Sequence, residues 1–176
     1  MPTTKKAPSW GKPRIFVKDL NAATPAWKII PTPVEDSTQL TPTKGDALEG
    51  KIEGGETEVR KNKKSSYELA YAIRLLANRD MPISHVDGTV EHEYAVALIP
   101  EETGAPGFYI ERTAVSVEDP FNAADGSNWN YTHNALAPES GKIVKWGTIT
   151  ATKAQSGDAY TLQGVGMDFG DTAVDL

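Results

Sequence analysis

Long stretches of this chain alternate in polarity with a period of two, and no other feature constrains its fold as strongly. Tyr67, Leu69, Tyr71, Ile73 and Leu75 recur at every second position, as do Val90, His92, Tyr94, Val96 and Leu98. Tyr109, Glu111, Thr113, Val115 and Val117 repeat the pattern on one face. Strand side chains point alternately to the two sides of a sheet, so this period marks strands with distinct faces. The second faces are small or apolar as well: Ala70 and Ala72 oppose the first set, and Ala95, Ala97 and Ile99 the second. A strand apolar on both faces needs something packed on each side. In a chain with little helix, the expected cover is a second copy of the protein. The pattern therefore predicts a self-assembling β protein rather than an enzyme.

A length of 176 residues suits one domain with a full core and is short for two. The 15 glycines and 12 prolines promise many turns. A net charge of −6 argues against a surface made to grip nucleic acid, which needs a basic patch, but is compatible with an acidic channel along which DNA slides. Cysteine is absent, which removes disulfides, thiol catalysis and Cys-ligated zinc and fits a reducing compartment. The start, MPTTKKAPSWGKPRIF, has no apolar stretch of the kind a secretory signal carries. No run of about 18 apolar residues exists to span a membrane as a helix. The expectation is a soluble protein made in the cytoplasm, with no cofactor.

Residues 1–12 read as an extended arm carrying Pro2 and Pro8, and residues 13–150 as the β domain. Strands are expected at Arg14 to Lys18, Ala26 to Ile30, Thr89 to Ile99, Phe108 to Glu118, Trp129 to Leu136 and Ile143 to Thr150. Pro31 to Thr43, with its prolines, reads as loop or edge strand. Lys44 to Lys64 is the most charged segment. Gly54-Gly55 there marks a turn between two short strands, with Leu48, Ile52 and Val59 as its main apolar residues. It is either a solvated hairpin or one that projects onto a neighbouring subunit, its charges setting the register. Ser65 to Asn78 is ambiguous: Ser65 and Glu68 match a helix capping box, yet the unbroken alternation favours a strand. Asp119 to Gly126 reads as a loop, with room for one helical turn. Residues 151–176, rich in Gly, Ala and Asp, read as a flexible tail. About seven or eight strands at short spacing predict a sandwich or barrel.

Chemical motifs are sparse. Ser84, His85 and Asp87 are the residue types of a hydrolase triad, but such near neighbours converge poorly on a substrate, and Asp87-Gly88 explains itself as a turn. Glu91 and Glu93 share a strand face roughly 7 Å apart, a spacing that could serve paired carboxylates. His85, His92 and His133 lack the close spacing of a metal site. Asp168-Phe169-Gly170-Asp171 lacks the alternating oxygen ligands of a calcium loop, and Gly164-Val165-Gly166 is too short for a phosphate loop. Asn130-Tyr131-Thr132 matches a glycosylation sequon, moot without a secretory signal. Of the tryptophans, Trp129 and Trp146 read as core by default; exposed, they would make a sugar platform or a subunit contact.

The order of several segments resembles the tail tube (major tail) proteins of long-tailed bacteriophages and related prophages, especially those of Bacteroides-type hosts. Trp27 with Pro31 to Thr43 (PTPVEDSTQLTPT) is followed by LEGKIEGGETE at Leu48 to Glu58 and by the Tyr67 strand. DGTVEHEYAVALIP at Asp87 to Pro100 and GAPGFYIERTAVSV at Gly104 to Val117 come next. Ala124-Asp125-Gly126 and ALAPESGKIVKW at Ala135 to Trp146 complete the likeness, which spans residues 25 to 150 and rests on their order.

The resemblance implies an antiparallel β-sandwich or half-barrel with one short helix, at 119–125 or else 65–78. Such protomers close into hexameric rings with a β-barrel lining, and the rings stack into a tube that conducts the genome. It implies a virion protein, assembled in the host bacterial cytoplasm. Its partners would be further copies and other tail proteins, such as tape measure, terminator and distal tail proteins. DNA would pass through the lumen without specific binding, and no membrane would be involved. Leu48, Ile52, Gly54, Gly55, Glu56 and Glu58 are the expected ring-stacking contacts. The rivals are a monomeric carbohydrate-binding or host-attachment β-sandwich, which would expose Trp129 or Trp146, and a hydrolase using Glu91 and Glu93. A tube from a secretion or injection system fits the same residues.

Overall fold

The computed structural model describes residues 8–139 and 141–164, and they form an antiparallel, sandwich-like β protein. Its strands are β1 (Arg14–Asp19), β2 (Trp27–Ile29), β3 (Gln39–Thr43), β4 (Ala47–Lys51), β5 (Thr57–Asn62), β6 (Ser66–Arg74) and β7 (Thr89–Ile99). They continue as β8 (Gly107–Glu118), β9 (Phe121–Asn122), β10 (Gly126–Ala135), β11 (Val144–Gly147), β12 (Ile149–Lys153) and β13 (Tyr160–Gly164). The main sheet runs β12-β13-β2-β1-β7-β8-β10-β6-β3, with β11 added to β8 and β9 to β10. β4 and β5 form a separate two-stranded sheet.

The alternation of β6 is that of a strand with a buried side. Leu69, Tyr71 and Ile73 are buried and join Ile15 and Val17 of β1, Val96 of β7, and Trp129 and Tyr131 of β10 in one core. The capping-box residues Ser65 and Glu68 start no helix; Glu68 pairs with Asn134 and Thr41 across the sheet. Pro42 lies in β3, which ends the path of the main sheet, where a missing N–H is tolerated. Among the described residues there is no helix. Residues 119–125, the first position expected for one, hold β9 and a turn in which Asn122 Oδ1 accepts from the Ala124 N–H at 2.9 Å. An Asx turn of this kind gives the backbone a partner that competes with a helical turn.

A second core covers the other face of β1, β7 and β8. Ala95, Ala97 and Ile99 meet Phe16, Trp27, Tyr109, Ile149 and Leu162 there. The cover over the alanines of β7 is therefore this chain's own β2, β12 and β13, not a second copy. Lys18 completes this layer, its Nζ 5.0 Å from the Trp27 ring centre, a cation–π contact. Trp27 is the largest side chain in the layer and is 1% exposed. Trp27→Ala is expected to cost about 3–5 kcal/mol, read as a lower midpoint in urea unfolding. A tryptophan that merely lay on the surface would give a change within about 0.5 kcal/mol.

Three sequence expectations are corrected here. Residues 151–164 are not a flexible tail: β12 and β13 pair from Ile149↔Gly164 to Lys153↔Tyr160, and Leu162 is buried. Residues 165–176, with Gly166 and the Asp168–Asp171 stretch, lie outside the described residues. The stretch from Ile143 to Thr150 is not one strand, because the chain leaves β8 after Gly147 and joins β13 from Ile149. Nor do Tyr109 and Thr113 share a face. The pairing of β7 with β8 shifts by one residue between Val96↔Ile110 and Tyr94↔Thr113, so an extra residue on β8 reverses the parity. Phe108 and Ile110 face the first core before the bulge, and Val115 and Val117 face it after.

Candidate assembly surfaces

The hairpin of β4 and β5 is amphipathic without having a core to pack on. Leu48 opposes Lys61 and Gly50 opposes Val59, so these four share one face. Glu49 and Arg60 lie on the other face and pair at 3.2 Å. Ile52, Glu53, Gly54 and Gly55 make the turn, with the Gly55 N–H donating to the Ile52 carbonyl at 3.1 Å and the Ile52 N–H to the Glu56 carbonyl at 3.0 Å. Gly54 and Gly55 adopt φ of +93° and +88°, the left-handed region in which a side chain is strained.

Leu48, Ile52 and Val59 remain 53%, 45% and 63% exposed, which is high for the apolar face of an ordered strand pair. Glu56 and Glu58 are exposed as well. All six sequence-predicted contact residues lie in this hairpin and its turn. Val59, noted only as an apolar residue of the segment, completes its face.

A groove of about 670 Å³ lies elsewhere on the surface. Trp10, Pro33, Pro100, Phe108 and Trp146 line it together with the charged Lys12, Glu35 and Asp36. Trp146 is 56% exposed while its ring sits 5.2 Å from that of Phe108, so an aromatic face is held open to solvent by a buried neighbour. The arm from Ser9 to Lys12 is tied alongside: Ser9 Oγ donates to the Pro106 carbonyl at 2.6 Å, and the Lys12 N–H donates to Glu101 Oε2 at 2.8 Å. Trp129, by contrast, is buried in the first core. No sequence motif marks the groove, because its lining comes from segments far apart in the chain.

Of the residues considered for catalysis, His85, Asp87 and Glu93 serve local structure. Asp87 and Gly88 both have positive φ between Val86 and Thr89, which exchange backbone hydrogen bonds at 3.0 and 2.9 Å. This is the two-residue hairpin turn that Asp-Gly favours. His85 Nδ1 accepts from the Gly88 N–H at 2.9 Å, which ties the ring to that turn. Glu93 accepts two hydrogen bonds from Arg112, at 3.0 and 2.9 Å. That pairing lowers the carboxyl pKa and favours the ionised form, the opposite of what a general acid needs. His92 Nδ1 lies 2.8 Å from Asp19 Oδ2 on the half-exposed end of β7. Among the described residues, no group of three or more His, Asp or Glu side chains is placed to hold a metal ion.

His133 is the one fully buried histidine, and its network is directional. Thr113 Oγ1 donates to the Tyr94 carbonyl at 2.6 Å, so toward His133 Nδ1, at 2.9 Å, it can only accept. Nδ1 therefore carries the ring proton, and Nε2 accepts from the Tyr71 hydroxyl at 2.8 Å. Burial lowers the His133 pKa to about 3, so the ring is neutral near pH 7. Tyr131 holds the adjoining loop, its hydroxyl donating to the Ile83 carbonyl at 3.1 Å and accepting from the Ile83 N–H at 3.3 Å. These groups tie β6, β8 and β10 together inside the core.

Compared with known protein families and with curated proteins, the chain matches none.

Proposed function

We propose that this chain is a structural protein that assembles into rings stacked as a tube, of the kind formed by phage tail tube proteins. The observation that carries the proposal is the β4–β5 hairpin, which presents Leu48, Ile52 and Val59 on an element outside the main sheet. A two-stranded hairpin is marginal alone, and an apolar face on it is a site for a partner. In the assembled tube, copies would meet head to tail, an arrangement that closes rings and lets them stack. Further tail proteins would cap and fill that tube, in a virion put together in the host bacterial cytoplasm. The family's short helix has no counterpart among the described residues, so the ring-shaped barrel would be built from strands and turns here.

The outer face of β8, β10 and β6 supports passage of DNA. Its cross-strand rows read Glu118–Asn130–Ala72, Ser116–Thr132–Ala70 and Ala114–Asn134–Glu68. These side chains are short apart from the two glutamates, which are the charges within these three rows; the next row holds a cation, Arg74, opposite Asn128, its guanidinium donating to the Asp125 carbonyl. A lumen lined this way would repel phosphate and offer bases no aromatic to stack on. Purified protein at rising concentration is expected to scatter light as species far above its 19.0 kDa mass. A strict monomer under every condition, including with an initiating tail complex, would sink the proposal.

One observation favours a second reading. Trp10 and Trp146 in a groove also lined by Glu35 and Asp36 would suit a sugar, which stacks on aromatic faces and hydrogen-bonds to carboxylates. A monomer whose tryptophan fluorescence shifts on adding an oligosaccharide would point to a carbohydrate-binding module instead.

A further inference from the structure

The β4–β5 hairpin carries opposite charge at its two ends. Residues 51–58, around the turn, hold Glu53, Glu56 and Glu58 against a single cation, Lys51. The root holds Lys44, Lys61, Lys63 and Lys64 against Asp46. Beside that root lies a depression of about 300 Å³, where Lys64 and Lys142 stand with Tyr67, Ile143 and Val144, and none of the described residues lining it is acidic. Glu49 and Arg60, between the two ends, neutralise one another at 3.2 Å. Among the described residues, Glu53, Glu56, Glu58, Lys64 and Lys142 enter no ion pair, and all five are exposed. We infer that the depression beside Lys64 and Lys142 receives the acidic turn of the β4–β5 hairpin of a second copy of this chain. Glu53 and Glu56 would meet the two ammonium groups, and Ile52 would lie against Tyr67 and Ile143.

A chain cannot fill its own depression. The ladder is anchored beside Lys64 at its Ala47–Asn62 end, and the six residues of β5 hold the turn roughly 20 Å from that root. Another copy meets no such limit. Its turn is acidic and the depression basic, so turn repels turn, depression repels depression, and turn attracts depression. Every docked pair leaves one free turn and one free depression. That is a heterologous contact, and it propagates rather than stopping at a dimer. Its charges lie at the surface, so the contact weakens as salt is added. The inference rests on the self-assembly reading and adds the receiving site to it.

Exchanging the charges tests the contact. One chain carries Glu53→Lys and Glu56→Lys, and a second carries Lys64→Glu and Lys142→Glu; all four positions are exposed, so both chains should unfold at the parent's urea midpoint. Each alone sets like charge against like charge at the contact. Each is expected to sediment at protomer mass under conditions in which the parent assembles. Mixed in equal amounts, the turn of each chain finds the depression of the other, and large assemblies are expected to return. A lysine-reversed chain that assembles alone like the parent, or a mixture that stays unassembled, would overturn the docking and leave the self-assembly reading in place. A parent that never assembles would overturn both. A lysine-reversed chain that assembles normally but no longer retains a single-stranded oligonucleotide bound by the parent would assign the depression to phosphate instead.

Discussion

Lowering the pH from 7 to 4.5 is expected to remove about 2–3 kcal/mol of folding stability through His133 alone. In the unfolded chain this ring titrates near its ordinary 6.5, whereas inside the core its pKa is about 3 because burial disfavours the cation. The unfolded state therefore binds the extra proton first. The contribution of neutral His133 is complete above pH 6.5 and fades as pH falls toward 3, with stability rising with pH across that window. Protonation also places a second donor against Tyr71, whose hydroxyl already donates to Nε2, so the network must break to admit the charge. Urea unfolding at a series of pH values checks this. His133→Gln should lower stability at pH 7 by about 1–2 kcal/mol while making the curve distinctly flatter between pH 6.5 and 4. An unchanged slope in that variant would show that other groups carry the acid sensitivity.

A chain carrying Leu48→Ser and Val59→Ser is expected to unfold at the same urea midpoint as its parent and to lose assembly altogether. Neither residue belongs to a core cluster, so their loss should change monomer stability by no more than about 0.5 kcal/mol. Burying the two side chains at a docked interface would contribute on the order of 3 kcal/mol to each contact, roughly a hundredfold in affinity. The contact recurs at every copy, so the loss multiplies along a tube. Sedimentation of parent and variant at matched concentration separates the two effects. A variant that assembles like the parent would show that these apolar residues are not the contact.

What the sequence revealed depended on whether a segment kept one pattern long enough to be read. β6 holds its alternation from Tyr67 to Ile73 and β7 in its C-terminal half, and both are strands; Leu69, Tyr71, Ile73 and Val96 are buried as expected, whereas Leu75 falls beyond β6 and is exposed. β8 departs from a single alternation because a bulge moves the parity in mid-strand, and the residues around Glu111 and Arg112 carry no turn signal to announce it. The β12–β13 hairpin was legible in principle: Ile149 and Ala151, then Tyr160 and Leu162, alternate on either side of Ser156-Gly157-Asp158. Its strands are short and otherwise small or polar, so their burial shows only once Trp27 and the β7 alanines are placed opposite them. The origin of that cover is the least legible feature, since two apolar faces on one strand do not say whose residues fill the second. The β4–β5 hairpin could be found from its Gly54-Gly55 turn. The groove could not, because its walls converge from the N-terminal arm, the proline-rich loop and β11.

Negative-stain electron microscopy of the concentrated parent protein tests self-assembly most directly. The account predicts annular views with a central opening and, at higher concentration, striated tubes of constant width; only isolated compact particles, with or without an initiating tail complex, would contradict it.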